Sequence, residues 1–415
     1  MSNIKTSIKI SFENIVCLFV VGKLKKEIQA QKRQVIVIHY GEVALKGKNR
    51  GKFERILLDN IKQKLSADWY EKIGRKSTRI IVRLKNDCND NVLSNIASNL
   101  KKIFGIKWFS IGYSIEKDIN VLEKEILSIA ENYKEKKLKL NTKRVDKSFP
   151  ITSMEVNMKL GRMLEEKGYK IDLKQPEKTI YIEILPEEII VSCERQEGLG
   201  GLPVGSSGKL LCLFSGGIDS PVAAWMMMKR GCVVDLLHVH AVSNDAKNSK
   251  IAKLRDILSE YSPKKIDLHL APYDEFYSSI NSAKGFERSE AVLFRRFIIR
   301  LANELADRYG YDGFITGDSL GQVASQTVEN IAAVDAVAKK PIYRPLVGMD
   351  KEEIIALAQK IGTYEKSIEQ YKDCCSLVAS ARPKTKTKKE KLDEMEKSIN
   401  IDEVVIKTLS AIETI

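Results

Sequence analysis

Residues 210–220, Leu-Leu-Cys-Leu-Phe-Ser-Gly-Gly-Ile-Asp-Ser, constrain this chain more than any other stretch. The apolar run 210–214 reads as a short buried strand and 220–229 as a helix, with a glycine-rich turn between them. Gly216 and Gly217 let the backbone curl until its N–H groups can approach a phosphate. The helix start adds its dipole and unsatisfied amides. Ser215 and Ser220 offer hydroxyl donors. Asp219 repels phosphate unless a cation intervenes, so it is expected to hold Mg²⁺. The G-x-x-x-x-G-K-[ST] pattern is absent, so this is a different kind of phosphate loop. A glycine-rich strand–helix turn without a ligand is the plainer alternative.

The pattern beyond the turn extends this picture. Short apolar strands are expected at 233–239, 266–271 and 313–316, alternating with helices at 245–259 and 289–308. That alternation means a parallel, doubly wound sheet, which binds ligands at the carboxyl ends of its strands. Upstream, strands are expected at 34–40 and 78–84 and helices at 53–65 and 92–103, which suits a small two-layer domain. A second unit follows, with strands at 106–113, 179–184 and 189–194 and helices at 121–130 and 154–166. Ser153 is read as the cap of the last helix. The glycine-rich stretch 198–208 reads as a linker.

The chain has 415 residues, 43% of them hydrophobic, enough for two to four domains with sizeable cores. Its net charge of +14 is unevenly placed. Residues 1–209 carry 40 Lys and Arg against 26 Asp and Glu, whereas residues 210–415 carry 29 of each. A basic half joined to a neutral half suggests a polyanion-binding part attached to a chemical part. A generally lysine-rich composition is the bland alternative. The seven cysteines, Cys17, Cys88, Cys193, Cys212, Cys232, Cys374 and Cys375, show no C-x-x-C spacing. That argues for a reducing compartment and against a zinc site or disulfide scaffold. The apolar run 15–22 is far shorter than the ~20 residues of a membrane span, and no cleavage site follows it. A cytoplasmic protein without a membrane segment is therefore expected. The basic run 382–391 reads as solvated surface.

The hexapeptide 215–220 matches the PP-loop signature (SGGxDS) of ATP pyrophosphatases, which adenylate a carbonyl oxygen. EGLGGLPVGSSGK before the loop, LFSGGIDSPVAAWMMMKRG across it, GDSLGQVASQT (317–327), IYRPLVGMDKEEII (342–355) and DCCS (373–376) resemble the tRNA 4-thiouridine synthetase (ThiI) family. HYGEVALKGKNR resembles the family's ferredoxin-like domain, and RVDKSFPITSMEVNMKLG with IDLKQPEKTIYIEI its THUMP RNA-binding domain. The resemblance covers residues 34–415, in the short form without a rhodanese-like domain. It implies an α/β multidomain chain: an extension at 1–33, a ferredoxin-like α+β domain at 34–94, a THUMP α/β domain at 95–196, a linker at 197–209, and a doubly wound parallel-sheet PP-loop ATP pyrophosphatase domain at 210–415. The loop AVSNDAKNSK (241–250) departs from the family's Pro/Thr-rich sequence there.

The resemblance also implies roles for residues. ATP would be bound by Leu213, Phe214, Ser215, Gly216, Gly217, Ser220, His238, Val239, Arg295, Gly317 and Gln326. As strand residues, Leu213 and Phe214 equally suit a core. Arg296 lies on another side of its helix and reads as surface charge. Gly317, after a buried strand, would allow close approach of the nucleotide. Lys351 sits at a helix start, where the dipole disfavours a cation; the family match makes it a support for adenylation, with Asp219 as the second catalytic residue and Mg²⁺ ligand. The family's sulfur-bearing cysteine aligns with Cys374, although Cys374 and Cys375 could also be a buried structural pair. Adjacent Cα atoms lie about 3.8 Å apart, below the usual disulfide range of about 4.4–6.8 Å. An external thiol or another cysteine is therefore the expected resolving group.

A member of this family is expected to use ATP and Mg²⁺ to convert the uridine at position 8 of tRNA to 4-thiouridine, with persulfide sulfur supplied by a cysteine desulfurase. Sulfur supply for the thiamine thiazole, a thiamine-pathway sulfur carrier protein as partner, and a homodimer are further implications. The alternatives are a PP-loop tRNA thiolase acting at C2 of a pyrimidine and a non-catalytic RNA-binding protein.

Overall fold

A computed structural model describes residues 32–86, 88–241, 249–282, 286, 288–370, 374 and 384–415. The extension up to residue 31, the loop 242–248, and Asp373, Cys375 and Ser376 lie outside the described residues. The chain divides into two compact units.

The first unit is built on an eight-stranded sheet. Its strands are β1 (Arg33–Tyr40), β2 (Tyr70–Lys76), β3 (Arg79–Leu84), β4 (Ile106–Ile115), β5 (Leu138–Arg144), β6 (Lys178–Ile184), β7 (Ile189–Ser192) and β8 (Gln196–Glu197). They run in the order β2-β3-β1-β4-β7-β6-β5, with β8 also on β4. The two N-terminal regions separated above therefore share one sheet, because β4 pairs antiparallel with β1 on one side and β7 on the other. Among the described strands of this sheet only β5 and β6 pair in parallel, joined by a crossover through helix Ser153–Glu166. That helix is capped by Thr152 rather than Ser153. The Thr152 hydroxyl accepts from the Glu155 amide at 3.3 Å, and the Glu155 carboxylate accepts from the Thr152 amide at 2.6 Å, a reciprocal capping box. Ser153 instead accepts from the Arg144 amide at 3.0 Å.

The second unit comprises Leu199–Ile415 together with Leu45–Gln63 and Lys102–Gly105. The stretch read as a linker is packed into it. Leu202 and Val204 are buried, Leu202 bridges Arg230, and Asn60 donates to the Val204 carbonyl at 3.0 Å. Phe104 packs edge-on against Trp225, ring centroids 5.3 Å apart. The sheet consists of β9 (Lys209–Leu213), β10 (Val233–His240), β11 (Leu268–Pro272), β12 (Gly313–Ile315), β13 (Ile342–Tyr343) and β14 (Glu413–Thr414). Their order is β13-β12-β9-β10-β11-β14, parallel except for β14. Separate apolar clusters flank the sheet: Leu211, Leu237 and Phe314 face the long helix Glu290–Tyr309, while Leu210, Cys212 and Leu236 face helices Asp219–Lys229 and Lys250–Ser259. This is the doubly wound arrangement that the alternation of short apolar strands and helices dictates. The strand order switches at β9, whose parallel neighbours β10 and β12 lie on opposite sides, and such a switch point opens a crevice beyond the end of β9.

Candidate active site

The turn 215–220 leaves the carboxyl end of β9 and enters helix Asp219–Lys229. Its shape is set by its own serines. The Ser220 hydroxyl accepts from the Ser215 amide at 3.0 Å and donates to the Ser215 carbonyl at 3.1 Å. The Ser215 hydroxyl accepts from the Gly217 amide at 3.3 Å. The hydroxyls therefore hold the loop curled at the start of the helix, whose dipole favours an anion there. Gly317, just past β12, also lets the backbone approach this turn closely. A Cβ there would lie 2.7 Å from the Ser220 nitrogen and 2.9 Å from the Asp219 carbonyl carbon. The close approach is between two segments of the chain's own backbone.

Beyond the turn lies a cavity of about 250 Å³. Leu213, Phe214, Ser215, Asp219, Ser220, His238, Val239, Arg295, Gly317 and Gln326 all line it. Gly216 and Gly217 belong to the turn at its edge. His238 is buried, and its Nδ1 donates to the Phe214 carbonyl at 2.8 Å, tying β10 to the end of β9.

Lys351 is not a cavity-lining residue, but it reaches the same turn. It opens helix Lys351–Ile361, which Asp350 caps through a second capping box. Its Nζ lies 2.7 Å from Asp219 Oδ1, and the Gln322 amide donates to Oδ2 at 3.1 Å. A cation placed against its own helix dipole is thus accounted for by a carboxylate 132 positions earlier. Among the described residues, no group of three His, Cys, Asp or Glu side chains is placed to hold a metal ion.

Comparisons with known proteins bear on the family and the fold. A thiamine biosynthesis protein (ThiI) family model matches residues 205–401, a ThiI ferredoxin-like domain model residues 35–110, and a THUMP domain model residues 116–194. A probable tRNA sulfurtransferase of Coxiella burnetii is 36% identical over 393 residues, spanning 92% of this chain and 99% of that one. The chain belongs to the ThiI family of tRNA sulfurtransferases. A Thermoanaerobacter relative described in the same words is 38% identical over 377 residues, covering 90% of this chain and 97% of its own. The crystal structure of a 4-thiouridine synthetase–RNA complex with bound ATP matches with a TM-score of 0.82 at 31% identity, over 92% of this chain and 99% of that one. The structure of PH1313 from Pyrococcus horikoshii matches with a TM-score of 0.63 at 25% identity, over 79% and 99%.

One further acid, which the sequence offers without a role from the family resemblance, belongs to the cavity of this ThiI family member. Asp318 is buried and lines the cavity. Both its oxygens accept from Arg295 Nη2 at 2.6 Å, and it also accepts from Arg344 Nε at 3.0 Å and from the Thr316 hydroxyl at 2.8 Å. Burial works to raise its pKa, but Arg295, Thr316 and Arg344 outweigh that and hold the carboxyl below the usual range. Arg295 is therefore fixed by Asp318 and by the Ser325 carbonyl at 2.9 Å. The only signal in the sequence was Asp318's place after a strand end. Arg296 is not surface charge: it is fully buried, bonded to Glu396, Asp393 and the Ala333 carbonyl.

Cys374 does not line the cavity. It is fully buried in the apolar cluster that includes Leu237, Val239 and Phe294, three residues that also wall the cavity.

The first unit carries a separate polar groove lined by His39, Lys107, Trp108, Asn141, Lys143 and Arg195 among others. His39 stacks on Trp108 at 3.7 Å between centroids, and the Arg195 guanidinium lies over the rings of Trp108 and Tyr181 at 4.1 and 3.8 Å. No helix among the described residues is long and apolar enough to cross a membrane.

Proposed function

We propose that this tRNA sulfurtransferase adenylates O4 of the uridine at position 8 of tRNA and replaces that oxygen with sulfur. The observation that carries the reading is the Lys351–Asp219 pair at 2.7 Å on the edge of a phosphate loop. ATP lies with its phosphates along turn 215–220 and its nucleoside in the cavity beside Leu213, His238 and Val239. Lys351 meets phosphate charge as a point cation. Asp219 suits Mg²⁺, which takes one or two carboxylates together with substrate phosphates and would neutralise charge developing on them.

O4 attacks the α-phosphorus, N3 gives up its proton, and pyrophosphate leaves. AMP on O4 is then a competent leaving group. The terminal sulfur of a persulfide on Cys374 attacks C4 and AMP departs. A second thiol cleaves the S–S bond, leaving sulfur on C4 and a disulfide for later reduction. Since Cys374 is fully buried, its sulfur meets C4 only after the side chain leaves its apolar surroundings. A cysteine desulfurase supplies the sulfur, and the reaction takes place in the cytoplasm. The groove of the first unit, with Lys107, Lys143 and Arg195, receives RNA phosphates, and the His39–Trp108 stack offers an aromatic platform.

The test is to incubate the protein with unmodified tRNA, ATP, Mg²⁺ and a persulfide donor and to analyse the nucleosides by mass spectrometry. 4-Thiouridine is expected. 2-Thiouridine, or no thionucleoside with no AMP formed, would replace this reading with one of its rivals.

A further inference from the structure

Two loops beyond the carboxyl ends of β12 and β13 carry exposed apolar side chains. Leu320 and Val323 are each 50% exposed and Val347 is 43% exposed. Single exposed apolar residues need no explanation, but these are held together. The Leu320 amide donates to the Val347 carbonyl at 3.1 Å, and the Ser319 hydroxyl donates to the Met349 carbonyl at 2.9 Å. Each loop also leads to a side chain gripping Asp219: Gln322 from the first and Lys351 just after the second. Val323 continues into the wall of the cavity. A Cβ built on Gly321 or on Gly348 meets nothing within 4 Å, so the surface between the apolar residues is open. Neither 319–323 nor 345–349 contains a charged residue.

We infer that this ledge receives the extruded target base, a neutral pyrimidine, and aims its carbonyl oxygen at the α-phosphate. The inference rests on the adenylation reading above and adds the place where the acceptor sits. A flipped base loses its stacking partners and needs an apolar surface to replace them. A phosphodiester would need cations, whereas the two loops carry none and Lys351, just after the second, is matched to Asp219. The Gln322 amide gives the base edge a polar neighbour, and the ledge adjoins the turn where the phosphates lie. A pyrimidine lying across Leu320 and Val347 therefore has its carbonyl edge towards Asp219 and Lys351.

Two variants test this from opposite directions. Gly348→Leu fills the open surface, and Leu320→Ala with Val347→Ala strips it. Single-turnover, tRNA-dependent pyrophosphate release reports adenylation alone; calorimetry with ATP and filter binding with tRNA report the rest. Pyrophosphate release should slow about tenfold in both variants, the scale of one lost base-stacking contact. ATP and tRNA affinities should stay within about twofold, because phosphates dominate RNA affinity. Should Gly348→Leu lose ATP binding through misfolding, the truncated variant decides, since it adds no bulk and trims side chains that are about half exposed. Unchanged pyrophosphate release in the truncated variant overturns the ledge. So does unchanged pyrophosphate release with reduced 4-thiouridine, which would assign the surface to a sulfur-donating protein. If the unsubstituted protein releases no tRNA-dependent pyrophosphate, the adenylation reading itself has failed.

Discussion

In the N-terminal unit a buried carboxylate works across the sheet: Glu183 on β6 accepts from His39 on β1 at 2.8 Å and from Arg79 on β3. In the C-terminal unit another, Asp318, lies beyond the end of β12 and gathers Arg295 and Arg344. The first arrangement locks strands together under a basic, aromatic groove, and suits a surface that must present a fixed shape to RNA. The second holds a cavity wall in place beside a phosphate loop, where a shift of one side chain would change chemistry. The same pairing of buried carboxylate with arginine thus serves shape in one unit and positioning in the other.

That contrast can be broken by substitution. Lys351→Ala removes the cation facing Asp219 and should lower tRNA-dependent pyrophosphate release about 100- to 1,000-fold, with tRNA affinity unchanged; an effect on tRNA affinity instead would blur the two units' roles. Asp318→Ala leaves the Arg295 and Arg344 charges without their shared carboxylate. It should cost the C-terminal unit about 3–5 kcal/mol, read by hydrogen exchange of its strands, while protection of the N-terminal sheet persists. Lys143→Ala should weaken tRNA binding a few-fold and reduce the salt slope by about 1, leaving ATP binding untouched.

The smallest effect is with pH. Burial lowers the pKa of His39, and the Glu183 hydrogen bond offsets this only in part. The unfolded chain therefore takes up the proton first. The contribution of neutral His39 is complete above about pH 6.5 and is lost as pH falls below it. His39→Gln should flatten that acid-side loss of exchange protection in the N-terminal sheet. The C-terminal unit should keep its own dependence, since His269 is also lowered by burial.

What could be read from the sequence was whatever is contiguous. The turn 215–220, the strands before and after it, and the charge split each lie within one stretch of chain. Strand β2 is not legible because Tyr-Glu-Lys-Ile-Gly-Arg-Lys is mostly polar and has no buried residue to set up an alternation. β5 is hard to see because its inward series, Leu138, Leu140 and Thr142, has only two apolar members. The single N-terminal sheet depends on β4 pairing with strands about 70 residues to either side, which no local pattern encodes. Asp318, Arg295 and Arg344 come from a loop, a helix and the residue after a strand, so their cluster exists only in three dimensions. Arg296 looked solvated because its partners, Glu396 and Asp393, lie about 100 residues on. Gly317 is legible as a glycine needed for close approach, but its contact with the Ser220 backbone is not.

The central claim is that an oxygen of the RNA attacks ATP bound at turn 215–220. Transcripts bearing ¹⁸O at O4 of uridine 8, incubated with the protein, ATP and a persulfide donor, test it directly. The account predicts AMP carrying one ¹⁸O on its phosphate, in step with 4-thiouridine. Thiolated RNA accompanied by unlabelled AMP would contradict it.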